Sequence, residues 1–223
     1  LALFLVIAQE EAEEGRRAVG DELAGGIARG RPLHRNEDSL RRAAQAQIEN
    51  YTQEQIDEVC LAVAWQVYKD DNIDVCAKSA VEESGMGVYE DKLKKHKVKV
   101  GGVVRDILKA KTVGVIERDE ATGITKYAKP VGVIGAITPV TNPTATVINN
   151  AISMIAAGNT VVFAPHPASQ KSSLMTMDLL NEAIETAGGP PHLLVATQEA
   201  TIEVSQELMH HPGIPLICTP GGP

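Results

Sequence analysis

The second half of the chain alternates short apolar runs with helix-forming segments, and this alternation limits the fold more than any other feature. The runs PVGVIGAI, TVVFA, HLLVA and PLICT are separated by NPTATVINNAISMIAAG, SSLMTMDLLNEAIETAGG and TIEVSQELMHH. A short run without polar positions is typical of a strand buried on both faces of a parallel sheet. Alternation with helices predicts right-handed crossovers between parallel strands. Residues 131–223 therefore predict a parallel α/β sheet.

The chain stops at PGGP, directly after the fourth apolar run. Parallel sheets of this kind bind ligands at the carboxyl ends of their strands. We therefore expect an incomplete dinucleotide-binding domain that continues beyond residue 223. The absence of an initiator methionine favours a clipped chain.

Helix-forming patterns occupy residues 39–111. Thr52 and Gln55 match a capping box, and the residues after them place apolar side chains on one helix face, namely Ile56, Val59, Cys60, Val63 and Val67. The segment IDVCAKSAVEES predicts a further helix that ends at Gly85. Cys60 and Cys76 fall at core positions, where a cysteine acts as a small apolar side chain.

Two further segments separate these helices from the sheet. The cationic run from Lys92 to Lys99 has two interpretations, a phosphate- or nucleic-acid-binding surface and a solvated helix face, and the acidic composition favours the second. Residues 112–130 contain two β-prone runs around DEATG, which predict a β-hairpin. Residues 1–38 match no pattern and are left unassigned.

Composition excludes several classes of function. Lys+Arg number 21 against 29 Asp+Glu, which gives a net charge of −8, and only seven residues are aromatic. Such a chain is a poor candidate for a nucleic-acid-binding protein, which should show a basic patch. Its three cysteines have no metal-ligand spacing and indicate free thiols in a reducing cytoplasm. The opening LALFLVIA is too short for a membrane span and lacks the basic start of a signal peptide.

The stretch TPVTNPTAT lies between the first apolar run and the following helix. Asn142 is the expected N-cap, Pro143 the first helical residue, and Gly158 lies just past the helix end. The turn contains no glycine, so it cannot approach a pyrophosphate as closely as a glycine-rich turn does. Thr138, Thr141 and Asn142 offer side-chain hydrogen bonds at the positive end of a helix. Ligand binding and simple helix capping both remain open for this turn.

Longer motifs carry a family resemblance. The segment KPVGVIGAITPVTNPTATVINNAISMIAAGNTVVFAPHPAS, with YTQEQIDEV, ESGMGVYEDK and ELMHHPGIPLICTPGGP, resembles the CoA-acylating branch of the aldehyde dehydrogenase superfamily over roughly residues 45–223. The resemblance implies an α/β fold with a Rossmann-like parallel sheet, preceded by a helical segment and a β-hairpin. Its divisions are an unassigned 1–38, helices at 39–111, an oligomerisation-type hairpin at 112–130 and a partial dinucleotide-binding domain at 131–223. The catalytic domain is then missing.

The resemblance implies NAD as cofactor and coenzyme A as co-substrate. The residues implied to contact the cofactor are Thr138, Pro139, Val140, Thr141, Asn142, His166, Pro167, Gly221 and Gly222. The family asparagine that donates to the oxyanion aligns with Thr141 and lies next to Asn142, so both are candidates. Three positions depart from the family or stay ambiguous. Ala164 replaces a lysine that binds the adenosine ribose, Pro220 removes an N–H near the phosphate site, and His166 is equally a plain turn residue.

The implied reaction converts an aldehyde, NAD⁺ and CoA to acyl-CoA and NADH through a cysteine thioester. The family nucleophile lies beyond Pro223, so no residue of this chain, including Cys218, is assigned as catalytic, and no metal is expected. The chain alone is expected to be inactive. The alternative is a non-catalytic nucleotide-binding or assembly piece, and the coding sequence after residue 223 separates the two.

The shared segments NNAISMIAAGN and FAPHP favour a short aliphatic aldehyde, whereas GMGVYEDK and RDEATGI keep sulfoacetaldehyde as an alternative. The implied partners are a small aldehyde and further copies of the chain, without nucleic acid or membrane. The implied location is the cytoplasm, with a bacterial microcompartment as the alternative. The aldehyde, the choice between NAD and NADP, the oligomeric state and the role of residues 1–38 stay open.

Overall fold

The computed structural model describes residues 35–221, in which four helices precede two separate sheets. The helices are α1 (Arg35–Ile48), α2 (Gln53–Tyr68), α3 (Asp70–Ser84) and α4 (Tyr89–Ile107). A hairpin of β1 (Gly114–Asp119) and β2 (Ile124–Ala128) follows. The remainder is β3 (Val133–Thr138), α5 (Pro143–Ala156), β4 (Thr160–Pro165), α6 (Gln170–Thr186), β5 (Leu194–Ala196), α7 (Ile202–His210) and β6 (Leu216–Cys218). The α/β fold with a parallel sheet after helices and a hairpin is confirmed. Of the unassigned residues 1–38, residues 1–34 lie outside the described part, whereas 35–38 form the start of α1, which begins four residues earlier than expected.

Local signals account for the helical segment. The capping box of α2 is formed, because Thr52 Oγ1 accepts from Gln55 N at 3.3 Å and Thr52 N donates to Gln55 Oε1 at 2.9 Å. The predicted apolar face of α2 is buried in full. Helix α3 ends at Gly85, whose φ of +64° is left-handed and whose N–H donates to Val81 O.

The hairpin is an antiparallel pair that forms a sheet of its own. Asp119 shapes its loop, since Oδ1 accepts from the backbone N–H of Ala121 at 3.0 Å and of Thr122 at 3.3 Å. Gly123 closes the loop at a φ of +73°. The sequence prediction of a hairpin around DEATG is therefore confirmed.

The parallel sheet has the strand order β5-β4-β3-β6. From β3 the chain moves outward to β4 and β5, and α7 then carries it back to the other side of β3. This is the order of the first four strands of a doubly wound nucleotide-binding sheet. The reversal lies between β3 and β6, and the crevice outside the carboxyl ends of such strands is where ligands bind.

Two apolar layers cover the sheet. Ile134 and Ala136 of β3 belong to the larger core, which also contains residues of α2, α5 and α6. Val133 faces the opposite layer with Leu208 of α7 and Ile214. Helices therefore lie on both faces, and they leave the carboxyl edge of the sheet as the place for a site.

One prediction about the helical segment is wrong. The cationic run from Lys92 to Lys99 is not uniformly solvated, because Lys92 is 5% exposed and His96 is 1% exposed. Both residues continue the buried face of α4 that contains Val100, Val103 and Ile107. The spacing of four places them against α5 and its preceding turn, whereas the lysines at 94, 95, 97 and 99 are exposed.

Candidate functional site

The candidate site begins where β3 ends and α5 starts. Thr138 is buried, the residues at 139, 140 and 142 are half-buried, and Thr141 is exposed. Asn142 is the N-cap residue of α5, as predicted, but its side chain does not cap the helix. The first bond closing α5 joins Thr146 N to Asn142 O at 3.0 Å. The N–H groups of Thr144 and Ala145 therefore have no intrahelical acceptor.

Two lysines of α4 bind this turn. Lys92 Nζ donates to Thr141 O at 2.6 Å, and Lys95 Nζ donates to Asn142 Oδ1 at 3.0 Å. An ammonium can only donate, so the Asn142 amide must present its oxygen to Lys95. The Nδ2 group then lies on the other branch of the amide and forms no hydrogen bond within residues 35–221. Asn142 is thus held in one orientation with two N–H donors available.

His96 holds the first turn of α5 from the same helix. Its Nδ1 lies 2.7 Å from Lys92 O and its Nε2 lies 2.8 Å from Thr144 Oγ1. A carbonyl only accepts, so Nδ1 carries a proton. Burial is the main cause that lowers the pKa of His96, with Lys92 and Lys95 adding to it against the Lys92 carbonyl bond. The ring is therefore neutral at pH 7, and Nε2 accepts from the Thr144 hydroxyl, whose single proton is shared with Cys76 O at 3.3 Å.

Charge at the turn is one-sided. Burial, and then the like charge of Lys95, lower the pKa of Lys92. Within the described part of the chain, the Lys92 ammonium forms no ion pair, and Thr141 O is its one hydrogen-bond acceptor. The positive end of the α5 dipole adds potential of the same sign. Ammonium groups and free N–H groups thus meet at this turn, and no carboxylate between residues 35 and 221 binds either ammonium. This arrangement suits negative charge.

The end of β4 is organised differently. His166 is exposed, and its Nδ1 accepts from Ala168 N at 3.1 Å, at the start of a short 3-10 turn over Pro167–Ser169. The N-terminus of α6 is closed by Glu83 of α3. Its two carboxylate oxygens accept from Lys171 N at 2.8 Å and from Ser172 N at 2.6 Å. A phosphate at this helix end would compete with a carboxylate that is already bound. A cofactor contact of His166 and Pro167 stays a prediction.

The remaining predicted cofactor residues lie after β6. Gly221 is exposed with a φ of +82°, and a side-chain carbon there would meet no atom within 4 Å. Gly222 lies outside the described residues. Thr138 at the end of β3 and Thr197 after β5 each bury a hydroxyl that has no partner within residues 35–221. Buried hydroxyls without partners and free helix N–H groups at one sheet edge fit a polar ligand such as a dinucleotide.

The three thiols are poor nucleophiles. Cys60 and Cys76 are buried and Cys218 is half-buried. Burial raises the pKa of each thiol, so each is protonated at neutral pH. No group of three or more His, Cys, Asp or Glu side chains between residues 35 and 221 could hold a metal ion. In the same range, no helix is long and apolar enough to cross a bilayer.

Comparisons with known sequences point to one protein family. The aldehyde dehydrogenase family model matches residues 41–223. A sulfoacetaldehyde dehydrogenase of Acholeplasma sp is 50% identical over 182 residues, which is 82% of this chain and 37% of that protein. An acylating sulfoacetaldehyde dehydrogenase of Bilophila wadsworthia is 49% identical over 170 residues, 76% of this chain and 37% of that protein. An acetylating acetaldehyde dehydrogenase of Escherichia coli is 47% identical over 146 residues, 66% of this chain and 31% of that protein.

Aldehyde dehydrogenases are also among the solved structures that resemble this chain. An acetylating aldehyde dehydrogenase of Geobacillus thermoglucosidasius has a TM-score of 0.78 at 37% identity, over 82% of this chain and 40% of that one. A propionaldehyde dehydrogenase of Rhodopseudomonas palustris with bound propionyl-CoA has a TM-score of 0.72 at 33% identity, over 84% and 41%. A propionaldehyde dehydrogenase from a Clostridium phytofermentans microcompartment has a TM-score of 0.70 at 34% identity, over 83% and 41%. The chain thus spans about two fifths of each of these structures.

Proposed function

Because this chain belongs to the aldehyde dehydrogenase family, we propose that the complete polypeptide containing it oxidises a short aldehyde to an acyl-CoA. The balanced reaction is RCHO + NAD⁺ + CoA-SH giving RCO-S-CoA + NADH + H⁺. NAD⁺ supplies the hydride acceptor, and a cysteine outside residues 1–223 supplies the thiol that holds the acyl group before CoA takes it. Support comes from the donor-rich turn at the reversal point of the sheet and from similarity to acylating enzymes.

The residues of this chain have three tasks in this proposal. Attack of a thiolate on an aldehyde turns the carbonyl oxygen into an anion, which needs fixed donors. Asn142 is proposed to donate from Nδ2, because Lys95 already holds its amide oxygen. Thr138 and the residues at 139–141, with Gly221 and Gly222, are proposed to line the cofactor. His166 and Pro167 are proposed to bound the same crevice at the end of β4.

We propose two candidate substrates, each supported by a group of similar proteins. A short aliphatic aldehyde is the first candidate, supported by similarity to acetaldehyde and propionaldehyde enzymes. Sulfoacetaldehyde is the second, supported by the two relatives with 50% and 49% identity. We propose further that the hairpin of β1 and β2 contributes to assembly of a homo-oligomer. Cytoplasm is the proposed location, with a microcompartment as the alternative.

The complete polypeptide should be assayed with acetaldehyde, propionaldehyde and sulfoacetaldehyde, with NAD⁺ or NADP⁺, and with or without CoA. We expect acyl-CoA, identified by mass spectrometry, in a one-to-one ratio with reduced nucleotide. Formation of free acid at the same rate with and without CoA would contradict acyl transfer to CoA. Saturable nucleotide binding without turnover of any aldehyde would instead favour the non-catalytic alternative.

Substitution separates the two candidate oxyanion donors. Removal of one such donor typically lowers kcat by about 10²–10³. We expect Asn142→Ala to show a loss of this order, and Thr141→Val to stay within about threefold of wild type, since the bound Thr141 group is its carbonyl. The opposite ranking would assign the role to the Thr141 hydroxyl.

A further inference from the structure

The geometry points to Lys92 as a positioning residue for this reaction, which we propose in addition to the turn residues themselves. Its ammonium fixes the Thr141 carbonyl and brings positive charge to the place where the substrate oxygen becomes negative. The inference rests on the proposed function, because it needs negative charge to develop at the turn. Lys92 itself need not contact the aldehyde.

The first argument is the free energy that it costs to bury the Lys92 ammonium without a counter-charge from the described residues. Lysine is almost never buried to this degree without a charged partner, and Lys92 is 5% exposed while its ammonium has a carbonyl as its one described partner. Burial, and then the like charge of Lys95, act against the Lys92 ammonium and lower its pKa. The N-terminus of α5 adds further positive potential. An arrangement that destabilises the resting protein is explained if an anionic group forms at the turn during the reaction.

The second argument concerns how the charge reaches the substrate. An ammonium bonded to Thr141 O polarises the peptide group that joins Thr141 to Asn142. The N–H of that peptide belongs to Asn142 and becomes a stronger donor. The same bond fixes the backbone from which the Asn142 side chain projects. Lys92 therefore acts on both donors of Asn142 through one contact.

The third argument is the path of the lysine side chain. A side-chain carbon on Gly87 would lie 3.1 Å from Lys92 Cε and 3.8 Å from Nζ. Gly87 also has a φ of +82°, which a larger residue rarely adopts. The glycine thus leaves room for the stem of Lys92 on its way to the turn. Gly87→Ala would displace the ammonium without removing it.

A purely structural role is separable from this one. His96 already binds the first turn of α5 through Thr144, at 2.8 Å, so α4 keeps a second anchor when Lys92 is replaced. Loss of Lys92 should then change the chemistry more than the fold. Lys94 provides the matched control, because it lies on the exposed face of the same helix.

The test uses Lys92→Met, Lys92→Arg, Gly87→Ala and Lys94→Met in the complete polypeptide, with steady-state kinetics and single-turnover formation of NADH. We expect Lys92→Met to lower kcat and the single-turnover rate by about 10–100-fold, with KM for the aldehyde within about threefold, because the lost interaction forms in the transition state. Lys92→Arg should recover part of the lost rate. The kcat of Gly87→Ala should lie between those of Lys92→Arg and Lys92→Met, and the kcat of Lys94→Met should match wild type.

Three results would overturn the inference while the proposed function stands. They are a kcat of Lys92→Met within twofold of wild type, a change confined to KM, and an equal loss in Lys94→Met. If Lys92→Met does not fold, Lys92→Arg and Gly87→Ala decide, and wild-type rates in both would refute the role. A wild-type polypeptide that forms no acyl-CoA from any aldehyde would refute the proposed function, and this inference with it.

Discussion

Replacement of Glu83 by glutamine should loosen the start of helix α6 without affecting α3, from which Glu83 projects. The carboxylate accepts from Lys171 N at 2.8 Å and from Ser172 N at 2.6 Å, which are two of the N–H groups without intrahelical acceptors. Glutamine keeps one oxygen, loses the charge and turns an NH₂ group towards the other N–H. One of the two charge-assisted bonds is therefore lost and the second is weakened.

The size of the effect follows from these contacts. A hydrogen bond to a charged group contributes about 1.5–3 kcal/mol, and solvent screening at a half-buried carboxylate brings the value down. We expect Glu83→Gln to cost about 1–2 kcal/mol of local stability. Since about 1.4 kcal/mol corresponds to a factor of ten, the two amides should exchange roughly 5–30 times faster.

The pKa of Glu83 adds a pH signature. Burial raises the pKa, but the bonds from Ser172 and Lys171 outweigh it, so the folded-state pKa lies below 4.5. A carboxyl with a lowered pKa stabilises the fold above its unfolded-state pKa and loses that effect as pH falls through the folded-state value. The difference in local stability between wild type and Glu83→Gln should therefore be largest at pH 7 and should decrease in acid.

Hydrogen exchange read by mass spectrometry, over a peptide that contains Lys171 and Ser172, measures this locally in the complete polypeptide. Glu82→Gln is the control, because Glu82 is the exposed neighbour on the same helix. Unchanged exchange in Glu83→Gln, or equal acceleration in Glu82→Gln, would show that the carboxylate does not hold the helix end.

Three further predictions concern the sheet, the buried histidine and the thiols. Gly135→Ala should lower the melting temperature, because the added carbon would lie 2.7 Å from Ile217 Cδ1. The expected loss in the free energy of unfolding is about 1–3 kcal/mol. An unchanged melting temperature would mean that β6 adjusts freely. In His96→Asn, the melting temperature should fall less between pH 7.5 and 5.5 than it does in wild type. Burial lowers the pKa of His96, so the wild type loses stability as pH drops through the unfolded-state pKa near 6.5. Melting temperatures of the two proteins that fall in parallel with pH would contradict this. A thiol reagent should label Cys218 well before Cys60, because Cys60 is 1% exposed; equal rates would indicate opening of the core.

The elements of the sheet were predictable because their signals are local. A run such as TVVFA is apolar at every position after its threonine, and all six residues of β4 are buried. The capping box at Thr52 and the glycine at position 85 likewise act within a few residues of themselves. Strand order was not predictable in this way. It depends on which side of β3 the chain returns to, and that involves contacts between segments distant in sequence, such as Leu208 of α7 beside Gly135 of β3.

The site was less predictable because its contacts join distant segments. Asn142 was expected to cap α5, but a lysine 47 positions earlier takes its side-chain oxygen. Lys92 and His96 were expected in solvent because charged residues in an acidic protein usually lie there. A usable signal was present nevertheless: these two residues extend, at a spacing of four, the stripe that continues at Val100, Val103 and Ile107. The position of these two residues on the helix face therefore determined their burial more than their residue type did.

The starts of α5 and α6 show what the sequence alone could not distinguish. Both helices follow buried parallel strands, and both would bind an anion equally well if only their dipoles mattered. The chain supplies the anion itself at α6, where Glu83 occupies two N–H groups. At α5 it supplies Lys92 and Lys95 and no carboxylate within the described residues. Negative charge from a ligand therefore has a place at the turn after β3 and meets a competitor at the start of α6.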